Sequence, residues 1–212
     1  MKTRLCLVRH GETAWNAEAR LQGWTDVPLN AEGEAQARAA AAELAGTRFD
    51  ALFSSPLARA RRTAELIAAA QAPGAAALQL DPRLRERHHG ELQGLTRNEI
   101  ALHSPAVHAL LNARCPGYLP PGGESVEVFA ARVHAALKDL ARLGGTVLAV
   151  AHGGVLDMAY RLATDADLHS ARQHALPNAA INWLVFSGGG WRVEAWGLTG
   201  HLEREGRDET GG

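Results

Sequence analysis

The sequence predicts an α/β fold: a three-layer sandwich in which helices cover both faces of a mostly parallel central sheet with an antiparallel edge strand. Short apolar runs alternate with helix-forming stretches, a pattern typical of parallel sheets with crossover helices. The run TVLAVA at 146–151 is apolar throughout, as expected of a strand buried on both faces. Residues 181–187 and 191–196 form two strand-like runs joined by three glycines, which predicts an antiparallel hairpin at the sheet edge.

The first part of the chain contains three predicted strands and two predicted helices. The strands are assigned to residues 4–8, 49–53 and, more weakly patterned, 76–80. The first helix starts after Asn30, a favourable N-cap residue, and ends just before Gly46. For the second helix we predict Ser55 as the N-cap and Pro56 as the first helical residue.

The second part contains two further helices around the apolar strand. Residues 81–121 are irregular apart from a short helix near 96–103. The apolar residues of the next helix recur at steps of three and four from Val126 to Leu140. The last helix begins at the sharp turn that follows the strand at 146–151. We predict a single domain over residues 1–202 and a disordered tail over 203–212.

Composition narrows the class of protein. A chain of 212 residues with 46% apolar residues is long enough for one domain with a substantial core. The net charge of -1 gives no indication of a nucleic-acid partner, and the apolar stretch near 143–156 is too short and too polar for a membrane span. Two distant cysteines do not form a disulfide framework. We therefore expect a cytoplasmic protein without nucleic-acid or membrane partners, either a monomer or a homodimer.

Polar and charged residues follow three of the predicted strands. In parallel sheets, ligands bind outside the carboxyl ends of the strands. The first strand is followed by Arg9 and His10, the second by a Ser-Ser-Pro turn with Arg59 close behind, and the long buried strand by His152. We expect these side chains to gather at one edge of the sheet.

This combination of residues is suited to a phosphoryl group. Arginine forks bind phosphate oxygens in bidentate fashion, and helix N-termini and glycine backbone add N–H donors. A neutral histidine is a nucleophile toward phosphorus, but spacing alone leaves open whether His10 or His152 attacks. A carboxylic acid must protonate the leaving oxygen, and Glu86 is the candidate. The adjacent histidines at 88 and 89 lack any accompanying metal-binding motif, so we expect no metal.

The segment LVRHGETAWN at residues 7–16 resembles the signature of the histidine phosphatase superfamily, in its phosphoglycerate mutase-like branch. The resemblance continues in SSPLARARRTAELI, LRERHHGELQGL, PPGGESVEVFAARV and VLAVAHGGVLDMA, and covers roughly residues 3–163. It implies a phosphoglycerate mutase-like fold and phosphoryl-transfer chemistry without metal or other cofactor.

The resemblance also implies a role for each matching residue. His10 corresponds to the phosphorylated nucleophile and Glu86 to the proton donor. Arg9, Arg59 and His152 correspond to the residues that surround the phosphoryl group. Further phosphate-binding residues implied by the resemblance are Asn16, Gln22, Gly23 and Gly153.

The family contains phosphatases, which pass the phosphoryl group to water, and mutases, which return it to another carbon. The short stretch between Gly90 and Glu124, and the Gly-Gly that follows His152, favour a phosphatase acting on a small phosphorylated metabolite. Arg97, which stands where a mutase lysine contacts the substrate carboxylate, favours the mutase alternative and a phosphoglycerate-like acid as a candidate substrate. A catalytically silent module that binds phosphorylated ligands is the third alternative.

Overall fold

A computed structural model describes residues 2–203 of the chain. Within these residues a single sheet has six strands in the order β3-β2-β4-β1-β5-β6. The strands are β1 Thr3–Arg9, β2 Ala51–Ser54, β3 Leu78–Leu80, β4 Gly145–Ala151, β5 Ile181–Ser187 and β6 Gly190–Leu198. The first four run parallel to one another, and β5 and β6 pair antiparallel at one side. The predicted mixed sheet with an antiparallel edge is confirmed.

Seven α-helices are described over the same residues. They are α1 Ala14–Ala17, α2 Ala31–Leu44, α3 Ala58–Ala69, α4 Arg97–His103, α5 Pro105–Asn112, α6 Val126–Ala141 and α7 Gly153–Thr164. Two single 3₁₀ turns, Pro82–Leu84 and Gly90–Leu92, lie in the irregular stretch before α4. Between Lys2 and Glu203, no helix combines the length and the apolar character that crossing a membrane requires.

Successive side chains of the central strands point to opposite faces of the sheet, and the core is therefore divided into two layers. Leu5 and Leu7 of β1 face one side of the sheet and pack with apolar residues of α6 and α7. Cys6 and Val8 face the other side and pack with apolar residues of α2 and α3. Because successive side chains of a strand point to opposite faces, one short apolar run supplies both cores of the three-layer sandwich.

The structure differs from the prediction in several places, among them the short helix α1, which was not predicted. The third strand is only Leu78–Leu80, and α5 occupies part of the stretch that we predicted to be irregular. The assignments of Ser55 as the N-cap and Pro56 as the first helical residue of α3 are wrong, since the helix starts at Ala58 and its N-cap is Leu57, which makes no side-chain capping bond. The predicted disordered tail falls, apart from Glu203, outside the described residues.

Candidate active site

Three neighbouring parallel strands bring the predicted site residues to one edge of the sheet. The strand β4 lies between β2 and β1, so their carboxyl ends are adjacent. The backbone N–H of His10 donates to the carbonyl of Ala151 at 3.0 Å, and that of Ser55 donates to Val150 at 3.0 Å. These bonds extend the pairing just beyond the strands and hold the segments after β1 and β2 against the end of β4.

A cavity of about 250 Å³ opens at this edge. Eight of the nine residues predicted for the site line it: Arg9, His10, Asn16, Gln22, Gly23, Arg59, Glu86 and Gly153. The ninth, His152, has no exposed surface and lies directly behind His10, with 5.1 Å between the two ring centroids. Residues that the sequence analysis did not select also line the cavity, among them His89, Gly154, Arg172 and Leu176.

His10 is held as a neutral imidazole with one nitrogen available to a ligand. Its Nδ1 lies 2.7 Å from the carbonyl oxygen of Gly11. A carbonyl can only accept, so Nδ1 carries the proton and Nε2 keeps its lone pair. Burial and the neighbouring guanidiniums of Arg59 and Arg9 hold the pKa of His10 well below its usual value of 6.5. A neutral imidazole with a free Nε2 is the form that can attack phosphorus.

The second histidine is anchored by the serine that was predicted to cap α3. The Nε2 atom of His152 lies 2.8 Å from the hydroxyl of Ser55, whose oxygen also accepts the backbone N–H of Leu57 at 3.3 Å. The Nδ1 atom of His152 is buried without a partner. Burial and the charges of Arg59 and Arg9 depress the pKa of His152 well below its usual value, and the His10 ring contributes in the same direction.

Two arginines face the cavity from fixed positions. Arg59 is 1% exposed, and its Nη1 and Nη2 donate to the carbonyls of Thr25 at 2.9 Å and Gly23 at 2.8 Å. Arg9 donates through Nη1 to the carbonyl of Leu176. The Nε atoms of both arginines are buried without a partner. Burial lowers the pKa of Arg59 to about 10, a value at which the guanidinium is still positively charged at neutral pH, and burial also lowers the pKa of Arg9.

Two amide side chains complete the wall of the cavity. The Oδ1 atom of Asn16 accepts the backbone N–H of Thr13 at 3.2 Å and the Nδ2 group of Asn178 at 3.4 Å. These bonds occupy the carbonyl end of Asn16 and leave its NH₂ group as a donor. Gln22 is 7% exposed, and its Oε1 is buried without a partner.

The carboxylate of Glu86 is fixed by two backbone donors. Its Oε1 accepts the N–H of Arg87 at 2.8 Å and its Oε2 accepts the N–H of Gly154 at 2.9 Å. A β-carbon on Gly154 would lie 2.1 Å from Oε1, so only glycine allows the carboxylate to approach this closely. The Gly-Gly pair after the β4 strand was visible in the sequence, but its contact with Glu86 was not.

The backbone of Glu86 is held by a side chain that sequence reasoning missed. Arg132 of α6 donates to the carbonyls of Arg83 at 2.9 Å, Arg85 at 2.8 Å and Glu86 at 2.8 Å. It also forms an ion pair with Glu124 at 2.7 Å. The helical spacing of α6 gave no reason to distinguish this arginine from its exposed neighbours.

Gly11, in the loop after His10, packs against Gly33 at the start of α2. A β-carbon on Gly11 would lie 2.2 Å from the carbonyl oxygen of Gly33, and one on Gly33 would lie 1.9 Å from that of Glu12. The N-cap Asn30 reinforces this junction, since its Nδ2 donates to Oε1 of Glu12 at 2.8 Å. Backbone therefore packs directly on backbone immediately behind the histidine.

Of the adjacent histidines that we considered as metal ligands, His88 makes a backbone contact, whereas Nδ1 of His89 is buried without a partner. Nδ1 of His88 accepts the backbone N–H of Gly90 at 3.0 Å. Burial and the nearby guanidiniums of Arg87 and Arg97 lower the pKa of His89 to about 3. Across residues 2–203, no three histidine, cysteine, aspartate or glutamate side chains gather into a set that would hold a metal ion.

Comparison with protein families and with known proteins points to one superfamily. The family model for the histidine phosphatase superfamily (branch 1) matches residues 5–199. The chain is 39% identical over 216 residues to a probable phosphoglycerate mutase, GpmB, of Escherichia fergusonii, with 96% of each chain covered.

Solved structures with the same fold include two phosphatases. A phosphoserine phosphatase of Entamoeba histolytica, in complex with 3-phosphoglyceric acid, matches with a TM-score of 0.83 and 28% identity, covering 94% of this chain and 99% of that chain. A mycobacterial glucosyl-3-phosphoglycerate phosphatase matches with a TM-score of 0.79 and 31% identity, covering 92% and 99%. The names of these relatives thus include both mutase and phosphatase activities.

Proposed function

Because the chain belongs to the histidine phosphatase superfamily, we propose that it is a phosphomonoester hydrolase that works through a phosphohistidine at His10. The substrate is a small phosphorylated metabolite, and the reaction uses the side chains of the chain itself without metal. The observation that carries the proposal is the state of His10: its Nδ1–H is donated to Gly11 and its imidazole is neutral, inside a cavity lined by Arg9 and Arg59.

In the first step, Nε2 of His10 attacks the phosphorus atom and the bond to the leaving oxygen breaks. The leaving oxygen takes the proton of the Glu86 carboxyl and departs as an alcohol. Charge on the equatorial oxygens is stabilised by Arg9 and Arg59, whose Nε atoms are buried without protein partners. His152, fixed by Ser55, acts beside them as a further donor.

In the second step, water attacks the phosphohistidine. The Glu86 carboxylate, left unprotonated by the first step, takes the proton of the attacking water. The N–P bond breaks, inorganic phosphate forms and His10 returns to its neutral state. One carboxyl group therefore serves both steps, which requires it to stay at one position beside the phosphorus atom.

The packing around Glu86 supports hydrolysis over mutase activity. A β-carbon at position 154 would lie 2.1 Å from Oε1 of Glu86, so any other residue there displaces the carboxylate; the resemblance implies Gly-Asn-Ser after the corresponding histidine in the mutases, where this chain has Gly-Gly after His152. Two structurally similar proteins are named as phosphatases. The mutase remains the second candidate, because a relative 39% identical to this chain is named a probable phosphoglycerate mutase.

The test is release of phosphate from p-nitrophenyl phosphate without added bisphosphoglycerate, together with rapid acid-free quenching to detect phosphohistidine. The His10→Ala variant is expected to lose both turnover and the covalent intermediate, because the attacking nitrogen has no substitute. His103→Ala, which removes an exposed histidine at the end of α4, serves as the matched control. A His10→Ala protein with a near-normal rate would contradict the assignment, and conversion of 3- to 2-phosphoglycerate without phosphate release would favour the mutase.

A further inference from the structure

The loop between α7 and β5, residues 165–180, forms one wall of the active site. Leu176 lines the cavity, and its backbone carbonyl accepts Nη1 of Arg9. Two positions further along the loop, Nδ2 of Asn178 donates to the backbone carbonyl of His10 at 3.1 Å. The loop therefore contacts both the nucleophile and an arginine that faces the phosphoryl group.

The guanidinium of Arg9 is oriented by a single carbonyl. Within the described part of the chain, the side chain of Arg9 forms one hydrogen bond, the one to Leu176, and its Nε is buried without a partner. The guanidinium of Arg59, in contrast, donates to two backbone carbonyls. A shift of the Leu176 carbonyl would therefore displace Arg9, whereas Arg59 has its own supports.

Three aromatic rings hold the part of the loop that comes just before Leu176. The ring of His174 stacks on Tyr160 of α7, with 3.9 Å between the ring centroids. Trp196 of β6 lies edge-on to both rings, with its centroid 4.8 Å from that of Tyr160 and 5.6 Å from that of His174. Its Nε1 donates to the backbone carbonyl of Ala175 at 3.2 Å. We call these three rings the aromatic clamp; the next carbonyl in the chain is that of Leu176.

The earlier part of the loop is attached to α7 by contacts outside the aromatic clamp. Nη2 of Arg161 donates to the carbonyl of Ser170 at 2.9 Å, and its Nε pairs with Oδ1 of Asp157 at 3.1 Å. Nε2 of His174 lies 3.3 Å from the same oxygen without the alignment of a hydrogen bond, so stacking is the main contact of this ring. A change in the aromatic clamp should therefore move the segment at Leu176 without releasing the whole loop.

We propose that Trp196, Tyr160 and His174 are positioning residues for phosphoryl transfer. The aromatic clamp fixes the carbonyl of Leu176, and that carbonyl aims the guanidinium of Arg9 at the phosphoryl group. The inference rests on the proposed function and adds to it three side chains that do not line the active-site cavity. Because Arg9 acts on the phosphoryl group, which all substrates share, the effect should not depend on the leaving group.

The first test is Trp196→Phe, which removes the N–H donated to Ala175 and keeps an aromatic ring in place. We expect kcat/KM to fall by about five- to tenfold, and by the same factor on p-nitrophenyl phosphate and glycerol 3-phosphate. Trp191→Phe is the matched control and should keep its activity, since Trp191 lies on the same strand and packs on Phe186, away from the aromatic clamp. His174→Leu, which removes one ring of the stack, is the second variant and should behave like Trp196→Phe.

The second test repeats both substitutions in an Arg9→Gln protein. If the aromatic clamp acts through Arg9, neither substitution should change kcat/KM there by more than about twofold, because residues on one path are not additive. The same loss with and without Arg9 would overturn the proposal and indicate a purely structural role. Unchanged kcat/KM in both Trp196→Phe and His174→Leu would overturn it as well. Thermal unfolding of each variant shows that the compared proteins are folded.

A failure of the proposed function would be visible separately, as the absence of phosphate release from any ester by the unsubstituted protein. The aromatic clamp is then judged by calorimetric binding of inorganic phosphate. Trp196→Phe should weaken this binding by about fivefold or more when Arg9 is present and leave it unchanged in Arg9→Gln. Equal weakening in both proteins, or none in either, would reject the positioning role.

Discussion

The contact between Gly154 and Glu86 predicts that one added methyl group impairs protonation of the leaving oxygen. In Gly154→Ala, the β-carbon would lie 2.1 Å from Oε1 of Glu86 and 3.1 Å from Cε1 of Phe129, whereas ordinary contacts start at 3.4 Å. The carboxylate must therefore retreat by about 1 Å, a displacement that typically costs on the order of 10²-fold in rate. This corresponds to about 2.7 kcal/mol of transition-state stabilisation.

The assay measures kcat/KM, a constant that depends on the steps up to and including departure of the leaving group. The expected loss applies to an alkyl phosphate such as glycerol 3-phosphate, whereas p-nitrophenyl phosphate needs little protonation and should lose much less. Folding should be preserved, because alanine is the better helix former by about 1 kcal/mol. Gly46→Ala is the control, since a β-carbon added there would have no atom within 4 Å. A Gly154→Ala enzyme that keeps more than half its kcat/KM on the alkyl ester would refute the reasoning.

Three further outcomes follow from the same site. Glu86→Gln should lower kcat/KM by about 10²-fold or more on alkyl phosphates and by much less on p-nitrophenyl phosphate; equal losses would indicate a purely structural carboxylate. His10 and His152 are neutral in the folded protein with pKa values well below 6.5, so each takes up a proton only on unfolding. The free energy of unfolding should therefore fall as the pH drops below 6.5, by up to about 1.4 kcal/mol per pH unit for each ring. Urea denaturation from about pH 7.5 to 5.5 measures this slope, and an identical slope in His10→Ala would contradict it. Arg132→Met removes the ion-pair partner of the partly buried Glu124 and one donor from each of three backbone carbonyls, and should destabilise the fold by about 3–5 kcal/mol. Arg142→Gln, whose side chain is 68% exposed, should change stability by less than about 0.5 kcal/mol in the same denaturation experiment, and similar values for the two variants would argue against the role of Arg132.

Strand ends were the part of the site that sequence could predict. Once the chain was divided into parallel strands, the residues after β1, β2 and β4 had to meet at one edge, and the structure brings Arg9, His10 and Arg59 together there. The assignment required only local apolar patterning and the rule that ligands bind at the carboxyl ends of strands. The order of the sheet then fixed which strand ends are neighbours.

Contacts between residues far apart in the chain could not be predicted from the sequence. Ser55 precedes a proline at the start of a helix and has the local pattern of an N-cap, but its hydroxyl contacts His152, 97 positions away in the chain. The helix α5 was missed because it has only eight residues and none of them is buried. The apolar pattern on which the prediction of a helix depends is therefore weak in this segment. Arg172, which lines the cavity, lies outside helices and strands, where no periodic pattern predicts its position.

The backbone junction between Gly11 and Gly33 also limits how this protein can be re-engineered. In a saturation library, we expect substitutions at both positions to be depleted. A β-carbon at either position would lie within 2.2 Å of a carbonyl oxygen of the opposite segment. Directed evolution toward a new ester would then leave the attacking nitrogen where it is and change the specificity through cavity-lining side chains away from this junction, such as Arg172 and Leu176.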